Sequence, residues 1–286
     1  MLEVIQDTLL DTIKLLPFLF VAFLIIEFIE HKLSNKQENI ISKSGKLGPI
    51  VGALLGAVPQ CGFSVLATNL YVTRIISLGS LISIYLSTSD ELIPLMISHN
   101  APITKILSIV SIKVVIGMIS GFLIDLLIRK TTKSDFVLCE DEDCDCDHSI
   151  IKSSLIHTLK IAFFILIITF LINILFHYVD LSFLESALKN NKILTPFIAS
   201  LIGLIPNCAS SVMISELYLN NLISLGTTLS GLLTGSGVAI MVLVRKNKNI
   251  SENLFIIGLI YIIGVIWGLL FNFIGVWWKV FLKRKN

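Results

Sequence analysis

The chain has 286 residues, of which 55% are hydrophobic and 15% charged, and its mean hydropathy is +0.88. A water-soluble domain of this length carries far more surface charge, so that class is excluded. The net charge of +2 is too small for the basic footprint of a nucleic-acid binder, and nucleic acid is not an expected partner.

In chain order, residues 9–29 form a first apolar run, long enough to cross a bilayer core of roughly 30 Å. A linker with Lys32, Lys36, Lys43 and Lys46 leads to residues 47–73, an apolar segment interrupted at Pro59. Runs 77–98, with the polar patch Ser87 to Glu91, and 106–128 follow. A polar loop, 129–152, carries Cys139, Cys144, Cys146 and His148, with six acids interspersed between residues 139 and 148. The order of elements then returns: a run at 155–176, a broken segment at 194–220, a run at 224–244, a linker with Arg245, Lys246 and Lys248, and a last run at 254–281. Continuous runs predict helices, whereas barrel strands would alternate. The start lacks a basic region and a small-residue cleavage site, so no cleavable signal peptide is expected. Five cysteines, two in apolar segments and three in the loop, do not make an even disulfide framework.

The return is a duplication. Adding 147 places Pro49 on Pro196, Gly56 on Gly203, Pro59 on Pro206, Cys61 on Cys208, Ser64 on Ser211 and Tyr71 on Tyr218. Without a gap, 17 of the 44 positions from 47 to 90 are identical, including Pro, Cys, Gly and Tyr, which shared apolar composition does not explain. The predicted fold is therefore all-α, a polytopic membrane protein of two repeats, 1–128 and 154–286, joined by a polar acidic linker at 129–153. Basic residues in short loops mark the cytoplasmic side. That bias reverses between the halves, as an inverted repeat requires. Each repeat would hold about three full spans plus a re-entrant hairpin, since 12 residues at 1.5 Å each reach only about 18 Å. The basic tail from Lys283 runs against this orientation. If the broken segments cross fully, the repeats are parallel and the loop is external.

Proline at 59 and 206 frees backbone carbonyls that need partners at membrane depth. A plain proline kink is the bland explanation. Polar neighbours at both sites point instead to a substrate pathway through Pro59, Gln60, Cys61, Ser64, Pro206, Asn207, Cys208 and Ser211, with Ser210 beside them. Free buried cysteines are commonly inert, but Cys61 and Cys208 hold equivalent positions beside helix N-termini, where the dipole favours a thiolate. Thiolates suit soft metals and metalloids. Asp90 and Glu91, and Glu216 where the first half has Asn69, are the expected proton- or cation-coupling acids and further metal ligands. Asn69, these three acids and Ser236, the match of Ser89, join the pathway. Arg74 is expected to pair with one of these acids, and Glu27 and Asp125 to sit at helix ends. The loop residues Cys139, Cys144, Cys146 and His148 form a candidate site for a soft divalent cation, or else part of a disordered acidic linker.

No phosphate-binding loop, nucleophile elbow or zinc-protease motif is present, so no enzyme activity and no cofactor are expected. A membrane enzyme with a thiol nucleophile would lack its base, because His99 and His157 lie near span ends.

The doubled Gly-x-x-Pro-x-Cys motif, Gly56 to Cys61 and Gly203 to Cys208, is similar to that of the ten-span heavy-metal exporter permeases, often labelled arsenic-efflux or manganese-transport proteins. The acidic Cys/His loop resembles that group too, and the likeness covers nearly the whole chain. It implies export of a metal or metalloid across the cytoplasmic membrane. Ten segments would fit three spans and a two-segment hairpin per half. The expectation is a secondary transporter with its site at the two Pro-x-Cys tips. Its partners are a metal or metalloid substrate, the lipid bilayer and a coupling proton or cation. A sulfur-species carrier or channel is the alternative, and a homo-oligomer is left open.

Overall fold

The computed structural model describes residues 47–58, 61–89, 92–128, 150–178 and 193–283, with single positions in the first apolar run. Regular structure among them is all helical. In the first half, α1 spans Gly48–Gly56, α2 Cys61–Val72, α3 Leu78–Ser87, α4 Leu92–Ser98 and α5 Ile103–Leu127. The second half comprises α6, Ile150–Tyr178, then α7, Thr195–Gly203, α8, Cys208–Leu219, α9, Leu225–Thr234, α10, Ala239–Lys246, and α11, Ile250–Lys283. Helix α6 begins inside the stretch expected to be linker. Among the described residues, Ile103–Leu127, Leu225–Lys246 and Ile250–Ile274 are long and apolar enough to cross a membrane.

Two runs expected to be continuous are broken. The run 77–98 divides into α3 and α4, and 224–244 divides into α9 and α10 around Gly235–Val238. Serine, threonine and glycine crowd both breaks. Their side chains bond back to the preceding turn, as Thr88 Oγ1 does to the Ile84 carbonyl at 2.8 Å, and so compete with continuation of the helix.

Small residues at four-residue spacing draw the helices together. Gly79, Ser83 and Ser87 of α3 face Gly117 and Gly121 of α5, and a Cβ on Gly121 would stand 2.5 Å from the Gly79 carbonyl. Gly226 and Gly268 repeat this approach between α9 and α11. In lipid there is little hydrophobic drive between helices, so backbone-close packing and interhelical hydrogen bonds carry association. Ser83 donates to the Pro49 carbonyl at 2.5 Å and Ser230 to the Pro196 carbonyl at 2.6 Å, tying α1 to α3 and α7 to α9. Each such bond is worth roughly 0.6 kcal/mol at membrane depth.

The packing also fixes directions. Gly48 meets Ser80 and Gly56 meets Ser87, so α1 runs alongside α3 in the same sense. Only residues 73–77 separate the end of α2 from the start of α3, so α2 ends at the level where α1 begins. Helix α5 runs opposite to α3, with Ser77 and the Gly79 amide bonded to Asp125 at 2.7 and 2.8 Å. There Asp125 caps the positive end of α3, the helix-end position expected for it. Its counterpart Asn272 accepts from Ser224, the N-cap of α9, at 2.6 Å.

Across the halves the exchange is reciprocal. Helix α2 packs chiefly on α10, and α8 packs on α4. Tyr71 donates to Glu252 at 2.5 Å, while Lys105 lies 4.5 Å from the centre of the Tyr218 ring. These contacts map onto each other under the shift of 147 with the halves interchanged. The pair Ser120–Trp267, joined at 3.3 Å, maps onto itself.

Candidate functional site

The breaks and the N-terminus of α8 converge on one small cavity. Thr88, Ser89, Lys113, Cys208, Ser211 and Gly235 line it, together with Leu92, Leu232 and Gly237. It has room for about one water-sized body. Both halves contribute walls. Helix α8 starts there because Asn207, its N-cap, accepts the Ala209 amide at 3.1 Å, aiming the positive end of the helix toward the cavity beside Cys208.

Of the expected pathway residues, Cys208 and Ser211 line this cavity, and Asn207 is buried beside them. Ser236 sits between two residues of the lining, and its hydroxyl is buried with no partner among the described residues. Ser64 is buried on α2, and Asn69, also buried, spends its amide on the Val65 carbonyl at 3.0 Å. Pro206 is half-buried at the turn before α8. Glu216 is exposed on α8 and outside the lining, so it does not join Cys208. Pro59, Gln60, the Cys61 side chain, Asp90, Glu91, Cys139, Cys144, Cys146 and His148 fall outside the described residues. Among the described residues no three His, Cys, Asp or Glu side chains gather as a metal site.

Lys113 escaped the sequence reading. It is 1% exposed, lines the cavity and donates its ammonium to the Thr88 carbonyl at the end of α3. The signal was present: a lysine within the apolar run 106–128, where an ionisable group is costly and marks function. Chemically, the cavity combines a thiol, an ammonium, hydroxyls and the ends of three helices.

Among the described residues the partner of Arg74 is Glu252, on the other half. It forms a two-point ion pair with Glu252, at 2.7 and 3.0 Å, which also accepts from Tyr71 and from Asn247 at 3.2 Å. Helix α11 begins at Ile250, and this brings its first turn beneath the α2–α3 turn. The Glu252 carboxylate holds the Arg74 guanidinium above its ordinary pKa. Arg74 has a left-handed backbone, φ 62°, and so does its counterpart Asn221, φ 57°. The turn geometry thus repeats while the charge does not.

No curated protein and no solved structure matches the chain. One family model does, over residues 1–183 and 159–285. By that match the chain belongs to the family described as "Putative, 10TM heavy-metal exporter".

Proposed function

We propose that the protein is a secondary exporter that moves a heavy-metal or metalloid species through the central cavity by alternating access. The observation that carries this reading is the cavity itself, walled by broken helices of both halves and containing Cys208. Broken helices meeting at a repeat interface are the usual architecture of transporter substrate sites. Cys208, with Cys61 at the matching position of the other half, supplies soft sulfur to the cargo. Both lie at the N-termini of short helices, which favour the thiolate.

The halves, 1–128 and 154–286, act in this reading as inverted repeats in the cytoplasmic membrane, with the 129–153 linker inside the cell. Reciprocal contacts support the inversion. The α2–α3 turn touches Asp125 at the end of α5 and Glu252 at the start of α11, whereas Ser224, at the start of α9, touches Asn272. Glu252 and Asn272 are separated by 20 residues of one helix, about 30 Å. The entry levels of the two halves therefore lie at opposite ends of α11. Helices α1 and α2, like α7 and α8, then form hairpins that dip to mid-depth and return. Pro59 and Gln60 are the expected tip of the first hairpin, and Pro206 and Asn207 of the second.

The test is Cys61→Ser with Cys208→Ser in resistance and uptake assays against a panel of arsenicals, Mn²⁺, Cu⁺ and Zn²⁺. Transport of at least one cargo should fall about tenfold or more, the loss of roughly 1.4 kcal/mol of binding. Unchanged handling of every cargo sinks the thiol site. A sulfur-species carrier is the second reading, favoured by the Lys113 ammonium in the cavity, which suits an anionic cargo. Sulfur-anion uptake without metal export would select it. For orientation, an impermeant thiol reagent should reach Cys144, left as the sole cysteine, only after cells are permeabilised.

A further inference from the structure

The central cavity is one-sided. Under the shift of 147, three residues of its lining, Leu92, Ser211 and Leu232, match Ala239, Ser64 and Tyr85. In the first half that place is filled. Tyr85 is 0% exposed, and its hydroxyl lies 2.5 Å from Thr68 Oγ1 and 3.5 Å from the Ala239 carbonyl. The ring thus reaches from α3 to α2 and on to the first turn of α10 in the other half. Ser64, on α2, is buried, whereas its match Ser211 on α8 is only half-buried.

The second half keeps the socket without the ring. Leucine at 232 stops short by the outer ring atoms and the hydroxyl of a tyrosine. Ser215, the match of Thr68, is fully buried, and its hydroxyl has no partner among the described residues. Buried hydroxyls left unpaired are uncommon, and each calls for a reason. Here the reason is visible: the group that meets Thr68 in the first half, the Tyr85 hydroxyl, has no counterpart on leucine. The space it would take is of the order of one water, as is the cavity. The backbone is not the cause, because the serine–carbonyl bonds that set α1 on α3 and α7 on α9 are alike, at 2.5 and 2.6 Å.

We propose that this one position of the repeat decides which half carries the cargo cavity: Tyr85 plugs the first-half place, and Leu232 leaves the second-half place open beside Cys208. Both are positioning residues, since they set the room available to a thiol and need not touch cargo themselves. A repeat interface offers two equivalent places for a site. A close-packed interior keeps a void only where a side chain falls short, so one large side chain is enough to close one of the two. The consequence for transport rests on the exporter reading and narrows it: of the two matching cysteines, Cys208 is the one with space beside it.

The test needs no transport. The purified full chain is treated with methyl methanethiosulfonate, a small thiol reagent, and modification of Cys208 and of Cys61 is followed by peptide mass spectrometry. Leu232→Tyr should slow Cys208 modification about tenfold or more while the folded peak persists, and the volume-conserving Leu232→Met should leave it within about twofold. Tyr85→Leu should speed Cys61 modification about tenfold or more. The exchange Tyr85→Leu with Leu232→Tyr restores total volume and should move the reactive thiol from position 208 to position 61. If either single variant loses its monodisperse peak, the exchange decides. Unchanged Cys208 modification in folded Leu232→Tyr, or a reactive thiol that stays at 208 in the exchanged protein, overturns the proposal. Metal export that survives Leu232→Tyr with Cys208 shielded leaves the plug standing and removes Cys208 from the exporter reading.

Discussion

Where α3 ends, a lysine from α5 closes the last carbonyl; where α9 ends, the matching residue of α11 is isoleucine. A second inequality lies at the periphery. Glu252 anchors Tyr71 and Arg74, while its match Lys105 stacks on Tyr218, and Asn221 replaces Arg74. Yet the serine–carbonyl bonds, the glycine pairs and the left-handed turns repeat almost bond for bond. The difference teaches where a duplicated membrane scaffold is free to diverge. Backbone-close contacts tolerate no added volume, so they stay alike. Charges at the breaks and at the rim can change without unmaking the packing, and that is where the halves differ.

The comparison breaks most visibly at its most conserved-looking contact. Gly79→Leu and Gly226→Leu should each force α3 from α5, or α9 from α11, because the new side chain meets a backbone carbonyl that cannot move aside. Overpacking of this kind costs about 3 kcal/mol or more. Both variants should lose the monodisperse peak in size-exclusion chromatography of detergent extracts. A folded, active Gly226→Leu beside a collapsed Gly79→Leu would show that the second half does not depend on the same close approach.

Next in size is Lys113→Leu. It strips the Thr88 carbonyl of its donor, at a cost of about 1–3 kcal/mol, and removes the only described ammonium lining the cavity. Cargo export should fall at least about tenfold, corresponding to 1.4 kcal/mol, while the folded peak persists. Ile260→Leu, the same change made in the other half, should leave export within about twofold, since volume-conserving apolar swaps are well tolerated. Equal losses in both would mean that Lys113 matters for packing alone.

The duplicated scaffold was legible in the chain because Pro, Gly, Cys and Ser recur in register, and such residues carry backbone geometry. The breaks after Ser87 and after Thr234 were less so. The runs around them are apolar on average despite the polar residues within, and hydropathy counts residues without recording where serine and glycine turn the backbone aside. Cys208 and Ser211 stand out in the sequence because they adjoin a proline. Lys113 carries the same signal as an intramembrane acid, since a lysine in the middle of a span is an equally costly group. Glu216 stands apart for a geometric reason: it lies eight residues beyond Cys208, about 12 Å along α8, on an exposed face. Pairing of Arg74 with Glu252 links positions 178 apart, which no local pattern reveals.

The smallest effects sharpen the rim. Arg74 and Glu252 are partly exposed, 33% and 19%, so their attraction is screened and worth only about 0.2–1 kcal/mol. Arg74→Asn is the informative change. Asparagine already occupies the matching left-handed turn at Asn221, so the substitution removes charge without adding backbone strain. A double-mutant cycle of Arg74→Asn with Glu252→Gln, read by chemical denaturation or melting, should give a coupling of about 0.5–1 kcal/mol. At the opposite end, Lys105→Met with Tyr218→Leu should give about 0.5 kcal/mol, the value of an exposed cation–aromatic contact. High salt should shrink the first coupling more than the second, because that coupling joins two full charges. If instead both cycles gave the same energy with the same salt dependence, the two rims would be equally held. The inequality of charge would then be confined to the helix ends at the cavity, where Ile260 holds the position that matches Lys113.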